Sequence, residues 1–403
     1  MKSLSMATGM ALLACAGNVA GAQNDNSFNP QISLILDGRY ADYDGATDDY
    51  HIPGVQLGGE TGLPAKGFSL GHSELTMSSN IDRYFYGRST LAIAEHEGET
   101  ELELEEAYIQ TLGLGGGFTI KAGRFLSSFG YQNAHHRHAW DYSDASLPYM
   151  ALLGSYLSDD GIQISYVAPT DLFLELNAEV LAGNAFPAGN NEDGGIGAYV
   201  VSLTLGGDMG VEHSWQIGLS RYDASDIMDR ESGGHAHGGG VVETPSFSGD
   251  SSIDAIDLVY KWAENGNPKQ RHLKVAMEYM QRDEQGDITM LNSGPPVETS
   301  TYLGEQSGWY ASVVYQFIPR WRTGLRFDRL SSDNSGSDSD VLEEAELLTD
   351  HDPQRKTLMV EWLPSEFSRI RLQYIRDETT EVTDDQWLLQ YTMSLGSHGA
   401  HQF

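Results

Sequence analysis

The stretch Gln31-Ile32-Ser33-Leu34-Ile35-Leu36-Asp37-Gly38-Arg39-Tyr40 decides the fold. Ile32, Leu34, Leu36, Gly38 and Tyr40 fall on one face of an extended chain, with Ser33, Asp37 and Arg39 on the other. Successive side chains of a strand point to opposite faces, so this segment has one apolar face and one wet face. The far end of the chain repeats the pattern, with Trp387, Leu389, Tyr391, Met393 and Leu395 set against Gln390, Thr392 and Ser394. Between them, Phe118, Ile120 and Ala122 alternate with Thr119, Lys121 and Gly123, and Leu273, Val275, Met277 and Tyr279 with His272, Lys274 and Glu278. This period of two recurs throughout, without an internal repeat of fixed length or a helical stripe of more than a few turns.

Counting such runs gives about sixteen strands, an even number of the kind single-chain bacterial barrels use. The connections alternate in length. Short turns rich in Gly, Pro, Asn or Asp are expected at Asn80 to Asp82, Gly113 to Gly117, Ala168 to Asp171, Gly206 to Gly210, Asn265 to Pro268, Ile318-Pro319 and Pro364-Ser365. Longer ones are expected at Ala41 to Gly67, Glu95 to Glu99, Ser127 to Asp160, Gly183 to Gly195, Ala224 to Ser251, Asp283 to Ser307, Ser331 to Pro353 and Asp377 to Asp384. Short periplasmic turns and long extracellular loops produce that alternation when both termini are periplasmic. The expected fold class is therefore all-β, a transmembrane antiparallel β-barrel; a soluble sandwich would rarely keep the alternation over so many hairpins.

Met1-Lys2, an apolar stretch from Met6 to Ala14 and Ala20-Gly21-Ala22 before Gln23 follow the order of a secretory signal peptide. Residues 1–22 are expected to be removed, leaving 23–403 as one barrel domain in the bacterial outer membrane. A lipoprotein cut before Cys15 is the competing reading, for which Leu13 is bulky. A cut after Ala22 removes the only cysteine and with it any disulfide or thiolate chemistry. No later segment approaches the roughly 18 consecutive apolar residues of a transmembrane helix. The 45 Gly, the 20 Tyr and a mean hydropathy of −0.37 suit strands that show lipid only at every second residue. A formal charge of −34 argues against nucleic acid, which requires a basic footprint. A search for protease and lipase signatures finds none, so no enzymatic activity is expected.

Glu105-Glu106-Ala107-Tyr108, then Lys121-Ala122-Gly123-Arg124-Phe125 and Phe129-Gly130, resemble the E-A-Y, G-R-F and F-G run of phosphate-selective porin-type barrels. The specific part of the likeness covers residues 68 to 160 or so; the remainder matches in strand pattern, and Phe403 ends the chain as in many outer-membrane barrels. The whole chain also resembles a group of proteobacterial barrels that go by the names porin, zinc-regulated outer-membrane protein and TonB-dependent receptor. The receptor name fits poorly, because the first strand comes too soon after the expected mature N-terminus to leave room for a plug domain. The resemblance implies an outer-membrane channel for small solutes or ions, in contact with lipid and lipopolysaccharide. A homotrimer is the family analogy.

Read by parity, Glu101, Glu103 and Glu105 share the face opposite Leu102, Leu104 and Tyr108 and make an acidic wall, and Lys121 is a further pore-lining candidate. Arg322, Arg326, Arg355, Arg369 and Arg371 make a basic one. Charged walls across a water-filled pore set its selectivity. A barrel of about sixteen strands is too wide for side chains alone to fill, which favours a channel over a lumen closed by Glu–Arg pairs. Residues 127–160 occupy the position at which, by the resemblance, porin-like barrels fold a loop inward as a constriction. That segment carries His135, His136, His138 and Asp141, and His235 and His237 lie in a glycine-rich loop. Neutral imidazole and carboxylate suit zinc or another divalent cation, bound transiently, and no cofactor is required; solvated polar residues are the alternative. Acidic residues crowd 333–352 and 44–60, either as a solvated face or as a funnel for cations. The function expected is passive diffusion of small hydrophilic solutes or ions, with cations or zinc favoured. A non-conducting surface receptor or metal-binding barrel is the alternative.

Overall fold

A computed structural model describes residues 30–396 apart from 46–49, 59–60, 97–98, 190–193, 233–243, 292 and 294–295. The expected leader, the His235 and His237 pair and Phe403 lie outside the described residues. The strands are β1 (Gln31–Asp42), β2 (Gly67–Leu70), β3 (Ser73–Asn80), β4 (Phe85–His96), β5 (Glu99–Thr111), β6 (Phe118–Leu126), β7 (Ser158–Val167), β8 (Phe173–Leu181) and β9 (Ala198–Met209). They continue as β10 (His213–Glu231), β11 (Thr244–Ala263), β12 (His272–Leu291), β13 (Glu298–Ile318), β14 (Trp321–Gly336), β15 (Gln354–Ser365), β16 (Ser368–Glu378) and β17 (Asp384–Gly396). Apart from β2 and β3, every strand pairs antiparallel with its chain neighbours, and β17 returns to β1 in the register Ser33 to Gly396 through Asp42 to Trp387. β2 and β3 both pair with β1 and form one stave, so the closed antiparallel barrel has sixteen staves. None of the described helices is long and apolar enough to cross a membrane.

The alternation sorts the residues. Leu36, Tyr40, Leu102, Ile164, Val201, Leu325 and Leu389 face outward and are exposed, whereas Glu74, Glu278, Asp328, Glu361, Arg371 and Gln373 face inward and are buried. Outward aromatic rings pair near the short turns, Phe118 with Tyr166 and Trp321 with Trp362, at centroid distances of 4.7 Å and 6.1 Å. Such girdles mark the edge of the lipid band.

Among the bulges that reset this parity, two bear on the inner wall. Ile35 pairs with Glu74 and Gly38 with Leu70, so three residues, Gly71, His72 and Ser73, stand opposite two of β1. Phe68 and Leu70 point outward before the bulge and Met77 after it, and the extra residue turns His72 and Glu74 inward. A Cβ on Gly71 would meet the Asp37 carboxylate, so any larger residue there would displace the Asp37 and Arg39 side chains. On β5 the register slips between Thr90–Glu106 and Leu91–Leu104, and both Glu105 and Glu106 face inward. Beyond this bulge Tyr108 is 7% exposed on the inner face, not outward as its spacing from Leu104 implies.

The long-loop end also differs from the alternation. β10 to β13 run for 19, 20, 20 and 21 residues, about twice the 9–11 of a membrane crossing. They absorb most of the connections expected at Ala224 to Ser251 and Asp283 to Ser307, and β14 takes the start of the one after Ser331. In these extensions the polarity inverts: on β12, Met280, Ile288 and Met290 are buried inside while Asp283, Gln285 and Asp287 are exposed outside. Water, not lipid, surrounds this part, so a polar outer face is favoured and no outward apolar stripe marks the strand.

The interior of that end is an apolar core. Ile52, Val55 and Leu57 come from the first long connection, Phe247 and Tyr302 from the walls, and Val341 and Leu342 from α2 (Ser339–Glu344). The third connection adds α1 (Leu147–Leu153), all seven residues of which are buried. Pro148 suits the first turn of α1, and Gly154, at φ 63°, ends it in the left-handed conformation.

Candidate functional site

Residues 127–157 leave β6 and fold into the barrel. Ser127, Ser128 and Asn133 fix the entry: Ser127 and Ser128 donate to Glu179 at 2.6 Å and 2.8 Å, and the Asn133 amide donates to the Ser127 and Leu157 carbonyls at 2.9 Å each. Glu278 on β12 accepts from the backbone N–H of Tyr131 at 2.8 Å and of Gln132 at 3.0 Å. The deepest point is at Trp140-Asp141, whose partners Lys274, Arg322 and Arg371 lie within a few residues of the short-turn ends of their strands.

From there the loop is braced on both sides. Toward the basic wall, Lys274 donates to Asp141 at 2.6 Å, Arg326 to Asp144 at 2.7 Å, and Arg371 to the Trp140 carbonyl at 2.9 Å. Arg355 lies 3.1 Å from Asp144, and Glu361 accepts from both Arg322 and Arg371. Burial disfavours the charged forms of Asp141 and Asp144, but Lys274 and Arg322 on the first, and Arg326 and Arg355 on the second, outweigh it and hold both carboxyls below the usual range.

Toward the acidic wall the loop presents histidine. His138 Nδ1 lies 2.8 Å from Glu74, and His136 lies 3.2 Å from Glu105 through Nδ1 and 2.9 Å from Glu106 through Nε2. Arg88 completes this side at 3.1 Å from Glu106. His72, from the bulge, stands 3.4 Å from Glu105 and 3.9 Å from Glu74. Burial disfavours the imidazolium of His136, yet Glu106, Glu105 and Glu74 outweigh it and hold its pKa well above the ordinary value. His135 behaves oppositely: burial and then Lys274 push its pKa down to about 4.

The sequence candidates therefore divide. His136, His138 and Glu105 meet at the acidic wall. His135 turns away, with Nδ1 2.9 Å from the Tyr131 carbonyl, and Asp141 belongs to the opposite wall. Glu103 is half-buried, and the side chain of Glu101 lies outside the described residues. Arg322, Arg326, Arg369 and Arg371 share the basic wall, but they do not face the glutamates across open space, because the loop lies between. Lys121 sits 5.1 Å from the Tyr108 ring and lines a cavity. Sequence reasoning missed His72, Glu74 and Glu361; a Gly71-His72-x-Glu74 step at a break in alternation was the available signal for the first pair.

The cavity, about 490 Å³, lies between the loop and β4 to β11 and reaches the short turns at Val211, Gly266 and Pro268. Its charged lining includes Glu106, Glu175, Asp208, Glu212 and Asp257 against Arg88, Lys121 and Lys261.

No family model matches the chain. A protein of Aquifex aeolicus (strain VF5), described as an uncharacterized protein, is 29% identical over 406 residues, covering 94% of this chain and 81% of its own length. Similar solved structures include the following three. Pseudomonas putida OprB has a TM-score of 0.54 at 14% identity, covering 92% of this chain and 95% of that one. The anion-selective porin of Comamonas acidovorans has 0.53 at 10%, covering 91% and 99%. The outer membrane channel DcaP of Acinetobacter baumannii has 0.53 at 11%, covering 91% and 96%. What the chain shares with these proteins is its fold, that of the porin-type outer-membrane β-barrels.

Proposed function

We propose that this protein is an outer-membrane porin-type channel for passive diffusion of small hydrophilic solutes or ions, in which residues 127–157 set the width of the path. The observation that carries this reading is the loop itself, folded into the lumen and bounding the cavity at the short-turn side. The cavity's charged lining has more carboxylates than cationic side chains, and the loops add acidic residues, which supports cations, zinc included, over phosphate. The arginines that an anion would use are already engaged by Asp141, Asp144 and Glu361. The apolar outer band meets lipid, and the acidic loops suit bridging by divalent ions to lipopolysaccharide.

Planar-bilayer recording of the refolded full chain tests the reading. Stepwise openings with a cation-selective reversal potential in a KCl gradient are expected; anion selectivity would overturn the preference, and silence would overturn conduction. A second reading, a non-conducting barrel, is favoured by one feature, the apolar core of Ile52, Leu152, Phe247 and Tyr302 across the long-loop end. It predicts silence even when the loop is released.

A further inference from the structure

We propose that His72, Glu74 and Glu105, joined by His136 from the loop, bind a divalent transition metal of the zinc class that fastens residues 127–157 to the barrel wall. The inference goes beyond conduction, since a bound metal can be read in detergent where nothing is transported.

His72, Glu74 and Glu105 each offer a ligand atom within 4.8 Å of the other two, and all three residues are buried. His72 and Glu74 come from the stave formed by β2 and β3 and Glu105 from β5, and they reach one point only because two bulges bring them there, Gly71 to Ser73 between β2 and β3, and Glu105-Glu106 on β5. Ala92 on β4, wholly buried, lies between them as the pairing partner of Glu74 and Glu103 and takes up little room.

The spacing fits a metal. Zinc ligands about 2.0–2.1 Å from a tetrahedral ion lie roughly 3.3–3.5 Å from one another. His72 Nε2 is 3.4 Å from Glu105 Oε1 and 3.9 Å from Glu74 Oε1, and His136 Nδ1 is 3.4 Å from Glu74 Oε2 and 3.2 Å from Glu105 Oε2. Neither ring nitrogen of His72 has a hydrogen-bond partner of good geometry, and Glu74 Oε2 and Glu105 Oε1 are likewise buried without one. A buried polar atom left unpaired costs about 1–3 kcal/mol, and such a group of neighbouring residues calls for an explanation. A cation accepts lone pairs from both residue types, and two imidazoles with two carboxylates are a donor set that zinc takes in preference to calcium or magnesium.

The test uses the full chain refolded in detergent and stripped with a chelator, with Co²⁺ as a spectroscopic probe and Zn²⁺ as competitor. The expected result is the intense visible absorption of four-coordinate Co²⁺ at one ion per chain, displaced by Zn²⁺. His72→Gln and Glu105→Gln should each lower Co²⁺ affinity by about 100-fold or more. His136→Ala, a loop change that leaves the wall intact, should weaken binding and alter the spectrum while the barrel keeps its heat-modifiable migration. A wild-type chain that shows no such absorption, or a folded His72→Gln chain that binds as wild type does, would overturn the proposal.

Discussion

Asp144 shows what single residues contribute. Its carboxylate is shared by Arg326 at 2.7 Å and Arg355 at 3.1 Å, both nearly inaccessible to solvent, and it accepts from Gln373 at 2.6 Å. Removing one partner from a buried charge cluster costs about 3–5 kcal/mol, because the remaining charges stay buried without compensation. Asp144→Asn should therefore loosen the loop while leaving the staves paired. The check is limited proteolysis in detergent: cleavage within 127–157 should be at least 100-fold faster, with no change in barrel migration. Acidification should act on the same contacts. The folded pKa values of Asp141 and Asp144 lie below the ordinary 3.8, so their stabilisation is complete above that value and is lost as pH falls through the folded ones. His135 adds in the same direction. Its folded pKa of about 4 is below the ordinary 6.5, so the unfolded loop takes up the proton first and the bound loop weakens between those values. Step conductance should rise modestly from pH 6.5 to 4 and steeply below; a decrease on acidification would contradict the assignment.

At the scale of elements, the staves and short turns were legible because lipid on one side and water on the other impose a period of two. The bulges were not. One extra residue at Gly71 to Ser73 or at Glu105-Glu106 leaves the local composition unchanged but reverses the facing of the residues beyond it, so Tyr108 is lumenal despite its spacing from Leu104. The strand extensions of β10 to β13 were hidden for another reason: above the lipid their outer residues are polar, like those of a loop. The histidines of the inward loop stood out in sequence, but their partners come from far along the chain, Glu74 being 64 residues from His138. The buried helix α1 offers a test at this scale. Leu152 is fully buried, and Leu152→Ala should destabilise the loop's seat by about 2–5 kcal/mol, seen as a 30-fold or larger loss of protease protection. Unaltered protection would mean that α1 packs elsewhere.

For the whole molecule, the loop acts as a strut of opposite charge at its two ends, histidines against glutamates and aspartates against arginines. The short-turn half keeps a polar cavity and the long-loop half an apolar core, so any path across must pass the strut. The measurement that tests this most directly is single-channel conductance of the wild-type chain beside Asp144→Asn in the same bilayer and salt. The account predicts small steps for the wild type and larger, longer openings for the variant. Equal conductance from two correctly folded proteins would contradict the claim that residues 127–157 set the width of the path.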